Sequence, residues 1–151
     1  MKLKKGFTLI ELLVVIAIIG ILSTLAIVAL NTARQKSRDA KRVSDIKQIQ
    51  TALELYFGDQ GNKYPAEAAP GKKLGVDYTC MDHSGFVASG CTDPIYMGAV
   101  PKDPQSGTNE YTYTSTSVNT YSITFKLEGN TGDLIAGNCT ATNNAINCVA
   151  P

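Results

Sequence analysis

Between Leu12 and Leu30 the chain runs for nineteen residues without a formal charge. As a helix rising about 1.5 Å per residue, such a segment matches the roughly 30 Å hydrocarbon layer of a bilayer, so it predicts a membrane-spanning helix. A secretory signal would close its apolar stretch with a small-x-small cleavage site. Here Ser23, Thr24 and Ala26 stand inside a run that continues for another turn, so the span is expected to remain in the mature chain. Glu11, at the head of the run, is the exception. A carboxylate at membrane depth costs about 2.5–3.5 kcal/mol on insertion scales, and residues of this kind are usually kept for a partner. Either Glu11 reaches headgroups or water from a tilted helix, or it needs a cation.

The string in which Glu11 is embedded bears on that choice. The short leader MKLKKG holds three lysines and ends in Gly6, which opens the octet Gly6-Phe7-Thr8-Leu9-Ile10-Glu11-Leu12-Leu13. This octet resembles the class III signal of type IV pilins and the related pseudopilins. The resemblance implies that a prepilin peptidase cleaves after Gly6 and methylates the new amino group of Phe7. It also implies that Glu11 pairs with the N-terminal ammonium of a neighbouring subunit, with Phe7 and Thr8 beside it, as the chain joins a helical homopolymer of itself. An inner-membrane assembly platform and minor pilins are the further partners implied. Many family members carry a proline in the second half of the run, where this chain has Val28; Gly20, with Ser23 and Thr24, is then the remaining point at which the helix could melt in a filament.

Beyond Asn31 the pattern becomes amphipathic. Ala40, Val43, Ile46, Ile49, Leu53 and Phe57 recur at spacings of three and four, with Arg38, Lys41, Asp45 and Glu54 among the polar positions between them. With no proline before Pro65, one helix is expected from about Thr8 to Phe57, a rod of about 75 Å at the helical rise. Gly58, Gly61 and Pro65 end it. The exit Gly61-Asn62-Lys63-Tyr64-Pro65 also resembles the end of the long helix in pseudopilins and some pilins. The organisation expected is a leader at 1–6, a membrane and filament-core helix at 7–30, its amphipathic half at 31–57, and a globular head at 58–151.

Charge is distributed unevenly. Residues 31–57 carry six basic against three acidic groups, and residues 58–151 five against nine. A net acidic head disfavours nucleic acid as a partner, since phosphate binding requires clustered Lys and Arg, although a role in DNA uptake stays open through the competence pseudopilins. Arg34, Lys36, Arg38, Lys41 and Arg42 follow the span closely, and a bare positive-inside count would keep the head in the cytoplasm. Long domains translocate largely regardless of such charge, and the cysteines and the peptidase motif both place the head outside, on a chain held first in the cytoplasmic membrane and then in an extracellular or periplasmic filament. The basic stretch is expected along anionic headgroups, or against acidic neighbours in the filament.

Cys80, Cys91, Cys139 and Cys148 lie in the second half and form no CxxC pair, so an oxidising compartment and disulfides are expected; the three possible pairings stay open. Residues 66–110, with four prolines and six glycines, read as a loop-rich insertion. Asp77, Asp82, His83 and Asp93 match no EF-hand or zinc spacing, so no metal and no cofactor is expected there. Val100-Pro101-Lys102-Asp103-Pro104 resembles a turn common in pseudopilin and pilin heads, near which calcium is sometimes held; the loop that follows here is rich in Thr and Asn rather than acids.

From Tyr111 onward the alternation has period two. Tyr111, Tyr113, Tyr121, Ile123, Phe125 and Leu127 share one face, and Ser122, Thr124, Lys126 and Glu128 the other, across two strands joined near Ser115–Asn119. Asn130-Thr131-Gly132-Asp133 reads as a turn, and the tail as a polar surface loop holding the second cysteine pair. With one histidine, no nucleophile–base pair that position supports and no phosphate loop, no catalytic residue is expected. The fold class expected is α+β, a long N-terminal helix packed on a small antiparallel sheet with disulfide-stapled loops. The function expected is a type IV pilin, with a pseudopilin of type II secretion or competence as the alternative and a non-polymerising, membrane-anchored binding domain as the second.

Overall fold

A computed structural model describes residues 6–150. Their order is one helix, α1 (Leu9–Asp59), followed by eight strands. The chain divides into two compact units, Met1–Gln35 and Lys36–Pro151. Within the first, every described residue up to Arg34 is exposed, and α1 is long and apolar enough there to cross a membrane. No proline interrupts it, and Gly20 stands in unbroken helix with open space around its Cα.

In the second unit the latter half of α1 buries one stripe. Ile46, Ile49 and Leu53 are fully enclosed, with Ala52 and Tyr56 beside them, which is the spacing an amphipathic helix needs. Ala40, which shares that periodicity, is exposed, and Val43 and Phe57 are only half-buried. The helix ends where Gln60 N–H donates to Tyr56 O at 2.8 Å and Asn62 N–H to Phe57 O at 3.0 Å, with Gly61 and Asn62 in the left-handed region (φ 67° and 60°).

Five antiparallel strands form the main sheet in the order β1-β5-β6-β7-β8: β1 (Glu67–Lys73), β5 (Thr112–Ser117), β6 (Thr120–Leu127), β7 (Gly137–Thr142) and β8 (Ile146–Val149). The expected alternation holds: Tyr111, Tyr113, Tyr121, Ile123, Phe125 and Leu127 are all buried and join Ile46, Ile49 and Leu53 of the helix in one core. The tyrosine stripe is thus the inner face of the sheet. A second, smaller sheet has the order β3-β2-β4, built from β2 (Cys80–Asp82), β3 (Gly85–Val87) and β4 (Ile95–Met97).

Two stretches depart from the sequence reading. The supposed insertion at 66–110 contains four strands, and the supposed tail loop is the β7–β8 hairpin, with Cys139 opposite Cys148 and Ala141 opposite Ile146. In β1 the dipeptide Pro70-Gly71 stands inside a strand. It is tolerated because β1 is an edge strand, and because glycine is needed there: a Cβ on Gly71 would stand 2.1 Å from Tyr113 O.

Candidate functional site

The start of α1 is a reciprocal cap. Thr8 N–H donates to Glu11 Oε2 at 2.8 Å and Thr8 Oγ–H to the same oxygen at 2.7 Å, while Glu11 N–H reaches Thr8 Oγ1 at 3.3 Å. This is the capping box, in which a side chain three residues into the helix turns back to satisfy the donors at its mouth. Glu11 therefore has local partners, and its charge sits at the positive end of the helix dipole. The Gly6–Phe7 peptide bond lies outside this ring, so cutting it leaves the amide of Thr8 intact. Phe7 is exposed and makes no part of the cap. Residues 1–5 of the expected leader lie outside the described residues.

Along the span the side chains from Leu9 to Leu30 are all exposed, a continuous apolar surface that no other part of its own compact unit covers. Within it the Thr24 hydroxyl is satisfied along the helix, Oγ–H donating to Ile21 O at 2.7 Å.

The basic stretch behaves differently from its expected outward role. Arg42 is fully buried. Its Nε donates to Asp103 Oδ2 at 2.7 Å, Nη1 to Asp39 Oδ1 at 2.7 Å and to Glu128 Oε1 at 2.6 Å, and Nη2 to Asp103 Oδ1 at 3.1 Å and Gln105 Oε1 at 3.0 Å. Arg38 grips Glu128 with two further bonds of 2.7 and 2.5 Å, and Lys41 pairs with Asp45 at 2.7 Å. Asp39 also accepts the backbone N–H groups of Glu128 and Gly129 at 3.0 and 2.8 Å. Burial opposes the Arg42 charge, but the hydrogen bonds it donates to Asp103, Glu128 and Asp39 outweigh that and raise its pKa. The Arg38 hydrogen bond, with Arg42 behind it, holds Glu128 down at about 2 against the effect of desolvation.

Sequence reasoning missed this cluster because helical periodicity assigns Asp39 and Arg42 to the polar face. The available signals were their i,i+3 spacing and a lone aspartate in the Lys102-Asp103-Pro104 turn.

The structure joins Cys80 to Cys91 and Cys139 to Cys148. Beside the first bridge, buried Asp82 accepts from Ser84 Oγ–H at 2.6 Å and N–H at 2.9 Å, and from Thr92 N–H at 3.0 Å. The Ser84 hydroxyl and then the Thr92 amide lower its pKa to about 2. Asp77 accepts from Lys73 N–H, while His83 and Asp93 are exposed. Among the described residues no group of three His, Cys, Asp or Glu is placed to hold a metal ion.

The family model of the prokaryotic N-terminal methylation motif matches residues 1–27. The chain is similar to the type II secretion system core protein G of Vibrio cholerae, 31% identical over 76% of this chain and 73% of that protein. The core protein G of Pectobacterium carotovorum is 34% identical over 67% of this chain; the match spans only 62% of that relative's length. A fimbrial protein of Pseudomonas aeruginosa is 44% identical over 36% of this chain and 35% of its own. No solved structure matches. With a capped apolar helix, a methylation motif over its first half and a likeness that extends into the head, the chain belongs to the pilin and pseudopilin family, as a pilin-like subunit akin to type II secretion core protein G.

Proposed function

We propose that the chain is stored in the cytoplasmic membrane as a prepilin, cut after Gly6, methylated at Phe7, and assembled with copies of itself into a filament whose core is the 7–30 helix. The observation that carries this reading is the exposed apolar surface from Leu9 to Leu30 with one capped carboxylate at its head. Such a surface is stable only in lipid or against other helices. Cleavage adds an ammonium at Phe7, at a helix end whose dipole disfavours positive charge, so a carboxylate from another copy becomes a favourable neighbour. Glu11 supplies it, and Thr8 holds Glu11 until then. A prepilin peptidase, an assembly platform and minor pilins are the partners this pathway requires, and the chain itself catalyses nothing. The head lies outside the cytoplasm, where its two disulfides form. Local melting at Gly20 belongs to the assembled state.

Between the two kinds of filament, the longer likenesses to core protein G favour a secretion-type pseudopilus over an extracellular pilus. Two measurements test the proposal. Mass spectrometry of sheared filaments and membranes should find Phe7 as the methylated first residue. Glu11→Ala should leave membrane insertion intact and abolish filaments. Normal filament numbers in that variant, or retention of Met1–Gly6 beside an active prepilin peptidase, would overturn it. Chain that is processed yet absent from sheared material supports the pseudopilus.

A further inference from the structure

We infer, resting on the filament reading above, that the exposed seam of α1 in the head docks the same seam of a second copy. The two chains are shifted by one heptad, so that Lys47 of one meets Glu54 of the next. Ala40, Ser44, Lys47, Thr51, Glu54 and Gly58 are all exposed and recur at alternating steps of four and three, on the flank away from Ile46, Ile49 and Leu53. Such a repeat is the one along which parallel helices pack against each other. The surface there is grooved: two shallow hollows of about 380 and 400 Å³ share Lys47 and Thr51 in their walls. In the second hollow Gln50 gives an amide hydrogen to Thr142 O at 2.8 Å. The Tyr121 hydroxyl of the same hollow, on a side chain 3% exposed, is left without a hydrogen-bond partner among the described residues.

Charge selects both the occupant and its register. Among the described residues no ion pair involves Lys47 or Glu54. Glu54 accepts the Tyr64 hydroxyl at 2.8 Å, a neutral partner that leaves its charge uncompensated. Positions three and four residues to either side of Lys47 and of Glu54 carry no charge, so neither finds a counter-ion one turn away on its own helix. Seven residues separate the two, about 10.5 Å along the axis, which is too far for them to pair with each other. Two seams in register would set Lys47 against Lys47 and Glu54 against Glu54. A shift of one heptad removes both repulsions and gains an attraction. Antiparallel pairing is closed to chains held by the same end in one membrane. A staggered contact does not close on itself, so each copy offers the next an unused Lys47 or Glu54, and the pairing extends as an open helix. The seam is too polar to hold chains together alone; the apolar halves bring them together and the charges set the step.

The test uses the full chain, in its membrane and in sheared filaments. A zero-length carbodiimide should join Lys47 to Glu54, and because the two lie about 10.5 Å apart on one helix, that product reports two copies. Lys47→Glu should cut sheared filaments about tenfold, with membrane insertion and the near-ultraviolet circular dichroism of the head unchanged. Glu54→Gln, which keeps an acceptor for Tyr64, should lose filaments to a similar extent. The double reversal Lys47→Glu with Glu54→Lys should restore them to within about twofold of wild type. Normal filament numbers in Lys47→Glu overturn the docking site and leave the filament reading standing. So does a Lys47 joined only to another protein or to a different acid of this chain, or a folded double variant that assembles no better than the single ones. Crosslinked pairs in the membrane without any filaments keep the contact and overturn the filament reading, and the absence of both overturns the two together.

Discussion

Two carboxylates of the head, Glu128 and Asp82, are held low enough to shape its response to acid. Glu128 has its folded-state pKa lowered from 4.5 to about 2, first by Arg38, and Asp82 is likewise held at about 2 by Ser84 and Thr92. A carboxylate whose folded pKa is depressed contributes its full stabilisation above its unfolded pKa and loses it as pH falls through the folded value. Stability to urea should therefore be flat above about pH 5 and decline toward about pH 2. Glu128→Gln should be weaker at neutral pH and decline less across that window; an unchanged slope would show that other groups govern the acid response. Arg42→Ala should cost about 3–5 kcal/mol, because it leaves buried carboxylates without their cation. Burial is what makes this cluster matter, and burial is what a one-dimensional pattern cannot report. Asp103 lies 61 residues from Arg42, and nothing local marks either as interior.

Strands and helices differed in how plainly they could be read. The long helix and the β5–β6 pair were legible because each repeats a period long enough to recognise: 3.6 over the half of α1 containing Ile46, Ile49 and Leu53, and two over Tyr121 to Leu127. β2, β3 and β4 have three residues each, too few for any period, and β1 carries Pro70-Gly71, which by composition reads as a turn. β7 and β8 are made mostly of small and amide residues, so their pairing follows from the neighbouring β6 and the Cys139–Cys148 bridge rather than from hydrophobicity. Gly71 makes the point testable. Gly71→Ala should push β1 from β5, destabilise the head by about 1–3 kcal/mol, as overpacking does, and speed hydrogen exchange in β1 selectively. Equal exchange in wild type and variant would show that the close approach to Tyr113 O is not needed.

At the scale of the whole chain, the functional surface and the folded head draw on different parts of one helix. A chain that begins at Lys36 keeps Arg38, Asp39, Arg42 and Asp45 and should be soluble and monomeric, with the tyrosine near-ultraviolet signal of the intact protein. One that begins at Lys47 keeps Ile49 and Leu53 but loses the whole cluster, and should be unfolded or aggregated. If both fold alike, the core alone stabilises the head. The internal ion pairs also bear on passage through a bilayer. Of the five cations that follow the span, Arg38, Lys41 and Arg42 are matched to carboxylates once the head has folded, and among the described residues no ion pair involves Arg34 or Lys36. In the topology proposed above, folding acts as a ratchet. The charges that count against translocation belong to the unfolded chain, and a head that has folded after crossing could slip back only by giving up its buried arginine together with its structure.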